Sequence, residues 1–136
     1  MMNIINSLIE KLKGAEIKMA HEKGAFDLFA LFMLDVIPEQ WDVVAAASWI
    51  TDENYDASLR YIINCIQPLL SSKELFSISG VVLIDQYNPG LDAVLEAIHV
   101  EHGLVEVRDT TFFGLDIKHG FVITSCTRHG CTAKSA

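Results

Sequence analysis

Two histidines three residues apart, His99 and His102, with Glu101 between them, are the side chains of this sequence best spaced for chemistry. On a helix that spacing sets both imidazoles on one face, where they could share a divalent metal or move a proton. No third ligand is identifiable, and a histidine near a helix C-terminus also has a purely structural reason to be there, since it interacts favourably with the helix dipole. His119 is the third candidate: alternation along a strand places it among Phe113, Leu115, Ile117, Phe121 and Ile123. An imidazole on such a face must be hydrogen-bonded or shifted toward neutrality, so a satisfied core histidine competes with an acid or base in a pocket. His99, His102 and His119 are thus the catalytic candidates and His99 and His102 the metal candidates, with Glu101 or Asp85 as a carboxylate partner.

Other constellations carry less. Cys126, His129 and Cys131 form a C-x2-H-x-C run that lacks the fourth ligand and paired knuckles of a zinc site. Asp116 and Lys118 make a strand Asp-x-Lys step of a kind found in metal-dependent nucleases, for which an ordinary cross-strand ion pair is the simpler account. Asp85 ends a predicted strand just before a helix start at Asn88, a place where α/β sheets put ligands and also where a helix cap belongs. No phosphate-binding glycine loop, Gly-x-Ser-x-Gly elbow or His-Glu-x-x-His motif occurs. The sequence calls for no cofactor and leaves enzymatic activity open.

Charge narrows the partners. Ten Lys and Arg against 18 Asp and Glu give a formal net charge of −8 in 136 residues, which repels a phosphate backbone or an anionic bilayer. Nucleic acid and membrane are therefore not expected. The first 12 residues are apolar but are interrupted by Asn3, Asn6, Ser7 and Glu10 with no basic segment before them, and no apolar run approaches the roughly 20 residues of a membrane span. Three cysteines are an odd count at low density, so reduced thiols and a cytoplasmic location are expected.

The elements that must position these residues follow from periodicity. Ile5, Leu8, Leu12, Ala15 and Met19 recur at helical spacing, with Glu10, Lys11, Lys13, Glu16 and Lys18 mostly off that stripe, and Gly24 ends the helix. This stripe is either a seam for a second copy, with Ile5, Leu8, Leu12 and Met19 at the interface, or the face that lies on the chain's own sheet. Ala25 to Leu34 and Trp41 to Ile50 read as a hairpin through a Pro38 linker. The first strand is apolar on both faces, which requires cover on each side. In the second, Trp41, Val43, Ala45, Ala47 and Trp49 make a shallow trough suited to core packing, a partner or a ligand.

Thr51 or Asp52 can cap a helix carrying Tyr55, Leu59, Ile62, Ile63, Ile66, Leu69 and Leu70, which Pro68 should kink or end. Ser71 and Glu74 have capping-box spacing for a short helical turn. Gly80 to Ile84 reads as a buried central strand. Asn88 and Pro89 start a third helix that runs through the histidines to Gly103. Leu104 to Arg108 and Phe112 to Ser125 form two further strands joined near Asp109, Thr110 and Thr111.

The expected fold is a single α+β domain over residues 1–125, with order αββαβαββ. It has a five-stranded mixed sheet, antiparallel hairpins at both chain ends and three helices; residues 126–136 are read as a flexible C-terminal tail. The segment from Phe26 to Trp49, with Phe29-Ala30-Leu31-Phe32, Pro38 and Trp41-Asp42-Val43-Val44, resembles a small bacterial α/β protein family, and the resemblance implies no activity. Counted with glycine and without tyrosine, apolar residues reach about 54%, above the roughly 45–50% of ordinary soluble domains. Two functions remain open. One is a non-enzymatic, self-associating protein-interaction domain, a homodimer or higher homo-oligomer or the receptor of a protein partner, to which a secretion-chaperone-like module would also belong. The other is a small metal-binding protein or enzyme built on His99, His102 and His119.

Overall fold

A strand with no polar face has to be sandwiched, and Leu28–Leu34 (β1) is the middle strand of the sheet. The computed structural model describes residues 2–34 and 40–126. The helix Met2–Lys23 (α1) precedes β1, and Trp41–Ala46 (β2) follows it as an antiparallel neighbour, with Leu31 opposite Val43. Then come Tyr55–Ile66 (α2), a 3-10 turn at Gln67–Leu69 that holds Pro68, and Ser72–Ser77 (α3). Ile78–Leu83 (β3) pairs parallel with β2. Pro89–Ala97 (α4), Val105–Phe112 (β4) and Leu115–Ser125 (β5) complete the order, and the sheet runs β3-β2-β1-β5-β4. This is the expected five-stranded mixed sheet, with the capping-box turn becoming a fourth α-helix, α3.

The sheet divides two cores. On one face Leu8, Leu12 and Met19 of α1 and Ile62 and Ile66 of α2 meet Phe29, Leu31, Val43, Ala45, Phe121 and Ile123. On the other face α4 alone supplies Leu91, Val94, Leu95 and the adjoining Ile98 to Leu28, Ala30, Phe32, Val44, Ala46, Ile117 and Val122. The second-strand trough, from Trp41 through Val43 and Ala45 to Ala47, is filled by helices in the first core. Gly24 closes α1 at φ +124°, its N–H donating to Ala20 O at 2.9 Å, as a left-handed helix stop requires.

Several boundaries differ from expectation. The strand Ile78–Leu83 is an edge strand, where a buried central one was expected; Val82 is exposed, and an apolar run alone does not tell a central strand from an edge. The third helix stops at Ala97, six residues before Gly103, because Ile98 turns extended and its carbonyl accepts a hydrogen bond from Ser125 Oγ at 2.6 Å. Val100 then bridges to Ser125. The final hairpin turns at Phe113-Gly114, with φ +58° and +72°, the two left-handed residues of a tight type I′ connection. The strand is thus continuous through Asp109, Thr110 and Thr111, where a loop was expected.

Nor do the apolar residues of the last strand share one face. Two shifts in the β1–β5 register, one beside Leu34 and Ile117 and one beside Phe29 and Thr124, act as bulges. Ile117 goes to the α4 side, while His119 keeps company with Phe121 on the α1 side. Cys126, expected to open a flexible tail, is buried, and its N–H donates to Asp27 O at 2.9 Å. Residues 127–136, including His129 and Cys131, lie outside the described residues.

Candidate functional site

His99 is exposed beyond the end of α4, in extended chain, so it shares no helical face with His102. His102 sits in a loop at φ +52°, and its Nδ1 lies 2.6 Å from Glu16 Oε1. Glu16 is 0% exposed, in the middle of the α1 stripe. Its second oxygen, Oε2, accepts from Thr124 Oγ1 at 2.9 Å, and the His102 backbone N–H donates to that same hydroxyl at 3.1 Å. Charge alone assigns Glu16 to the solvent side; the i, i+4 line Leu8, Leu12, Glu16 is the signal that it faces inward.

His119 has a separate setting. Its Nε2 lies 2.5 Å from Glu106 Oε2, and the Arg108 guanidinium donates to the same oxygen through Nε at 3.1 Å and Nη2 at 2.8 Å. The His119 hydrogen bond, and then Arg108, hold the Glu106 carboxyl below its ordinary range. Trp41 and Phe121 pack against the ring at centroid distances of 5.6 and 4.7 Å. A histidine oriented by a carboxylate makes two of the three members of a catalytic triad, but the groups flanking it here are aromatic rings and a guanidinium, and among the described residues no hydroxyl or thiol is hydrogen-bonded to the ring.

These arrangements do not merge. Thr124, which holds the His102 cluster, stands opposite Phe29, and His119 stands opposite Met33. Four residues of extended chain separate the two positions by about 13 Å. Among the described residues no group of three or more His, Cys, Asp or Glu could hold a metal ion. Asp85 lies apart from all three histidines at the end of β3, where its Oδ1 accepts from the Tyr87 N–H at 2.8 Å. It lines a cavity of about 460 Å³ with Ile50, Asp52, Glu53, Tyr55 and Tyr87. Asp116 accepts from Thr111 Oγ1 at 3.2 Å, a cross-strand contact. Cys126 is disulfide-bonded, which corrects the expectation of reduced thiols, and Cys65 is free.

The seam expected on α1 is also accounted for. Leu8, Leu12 and Met19 are 0% exposed within a single chain and Ile5 packs partly against the same core, so the helix lies on its own sheet. Leu8, Leu12 and Met19 are therefore core residues of the single chain, and Ile5 alone of the four is partly exposed.

What the molecule leaves open is the far edge of the sheet. The β3 strand, Ile-Ser-Gly-Val-Val-Leu, has no neighbour on its outer side among the described residues, and it holds no charge and no proline. The opposite edge, β4, carries Glu106, Arg108 and Asp109, the last at φ +48°. Beside β3, Ile63, Ile66, Leu70, Leu75 and Val81 line an apolar groove of about 280 Å³. Phe76, at the end of α3 that leads into β3, is 82% exposed. No described helix is long and apolar enough to cross a membrane. No family model, curated protein or solved structure matches this chain.

Proposed function

We propose that this chain is a non-enzymatic, self-associating interaction domain in which the β3 edges of two copies pair antiparallel into one ten-stranded sheet. The observation that carries the reading is the contrast between the two sheet edges. Exposed edges are normally protected by charge, proline or a local distortion. The β4 edge has three charged residues and a left-handed one, whereas β3 has no charge and no proline, is irregular only at its start, where Ser79 is an extra residue opposite Trp41 and Asp42, and adjoins an apolar groove. Charge favours an identical partner at this place. Two chains of net charge −8 repel over most of their surfaces, but the six residues of β3 are uncharged and meet their own copy without like charges in line.

The second reading, a histidine-centred enzyme or metal protein, has lost its constellation, because His99, His102 and His119 stand apart. Native mass spectrometry tests the first. The expected result is a species of twice the 15.1 kDa chain mass that becomes a single chain in Val82→Glu, with circular dichroism unchanged because Val82 is already exposed. A wild-type monomer at all concentrations, or a dimer that survives Val82→Glu, refutes edge pairing.

A further inference from the structure

We infer that Phe76 of each copy fills the cavity at the far end of its partner's β3, so that the domain associates by a reciprocal aromatic insertion flanked by a lysine-to-acid contact. This rests on the edge pairing above and goes further, because it names the side chains that would give the pair its affinity and specificity.

The register follows from backbone geometry. The Ile84 N–H donates inward to Ala45 O at 2.8 Å. Successive residues of a strand turn their backbone groups to opposite sides, so Leu83 and Val81 direct theirs outward. In a two-fold antiparallel pair the start of each β3 lies beside the end of the other copy's β3, so a pair centred on Val81 or Gly80 brings the last turn of α3, with Phe76, next to the segment that follows Leu83 of the second copy. Ile84, Gln86 and Tyr87 of that segment line the 460 Å³ cavity. The two-fold axis is normal to the sheet, so the helical faces of both copies stay on one side. The α3 helix of one copy thereby faces the loop between β2 and α2 of the other, which forms the remaining wall.

Chemistry agrees with geometry. The cavity presents Tyr55 and Tyr87 together with Asp52, Glu53 and Asp85. The end of α3 offers an exposed phenyl ring, and its exposed charge is Lys73, because Glu74 is buried and bonded to Lys11. An aromatic residue beside a cation is the complement of an acidic, tyrosine-lined hollow.

The test is a double-mutant cycle on the full chain, with the dimer dissociation constant read by sedimentation. Phe76→Ala and Tyr87→Ala alter side chains that are 82% and 77% exposed, so both variants keep the fold. Each should weaken the dimer by about tenfold or more, and the double variant should weaken it little beyond either alone, as two groups in contact require. Lys73→Glu should weaken it as well. If Val82→Glu separates the copies while Phe76→Ala and Tyr87→Ala leave the constant unchanged or act additively, the insertion is overturned and edge pairing stands. A monomeric wild type overturns both.

Discussion

Glu16 is a carboxyl group with no exposed surface, and its two oxygens are taken by Thr124 and His102. A buried polar group left without its partner costs about 1–3 kcal/mol, so Thr124→Val, which keeps shape and removes the donor, should lower unfolding free energy by that order in urea titration. Thr124→Ser restores the hydroxyl and should recover most of the loss; equal damage from both substitutions would show that packing, and not the hydrogen bond, matters there. Glu74 makes a second prediction. Burial pushes its carboxyl upward, but the Lys11 ammonium, the Ser71 N–H of the capping box and Ser7 outweigh burial and hold it at about 2 against an ordinary 4.5. A folded-state value below the unfolded one stabilises above the unfolded value, and that contribution is lost as pH falls from about 4.5 through about 2. Lys11 is 37% exposed, so solvent screening reduces the contribution to roughly 1 kcal/mol. Urea midpoints measured from pH 5 to pH 2 should therefore decline less steeply in Glu74→Gln than in the parent.

Elements are more legible in the sequence than the contacts between them, and the reason differs from one to the next. The α1 helix, its stop at Gly24 and the cap at Ser71 all depend on local rules of spacing and backbone angle, so the sequence alone is enough to find them. The end of α4 is not legible, because the competitor that unwinds it is Ser125, 27 residues away along the chain. The edge position of β3 is hidden for a similar reason: Gly80 to Ile84 looks the same in a central strand, and only the pairing of β2 with β1 decides which strand is outermost. Of the candidate site, sequence spacing singles out His102 with its neighbour Glu101, whose carboxylate lies 4.0 Å from the ring, but the closer partners of His102 and His119, Glu16 and Glu106, come from remote segments, and no histidine-to-acid spacing pairs them. The α1 stripe itself allows a decisive prediction. Leu12→Asp puts a charge into a fully buried site, and it should unfold the chain, seen as loss of the cooperative thermal transition. A folded monomer from that substitution would restore α1 as the seam between copies.

At the scale of the whole molecule, the sheet has two ends with opposite characters, and hydrogen exchange can read both at once. The outward amides of Val81 and Leu83 face no strand among the described residues, given that Ile84 turns inward to Ala45. In an isolated chain they exchange as edge amides do; in the paired sheet each gains a carbonyl from the second copy. Their protection should therefore rise with protein concentration across the dimer dissociation constant, and Val82→Glu should abolish that rise. The amides of β4 provide the internal control, since Glu106, Arg108 and the left-handed Asp109 disfavour strand addition on that side. They should exchange at a rate independent of concentration. Salt sharpens the distinction: with −8 on each chain, screening relieves repulsion between copies, so added salt should shift the β3 protection to lower protein concentration and leave β4 unchanged. If protection instead grew at β4, or grew equally at both edges, the charge pattern would be a false guide and association would have to run through a different face.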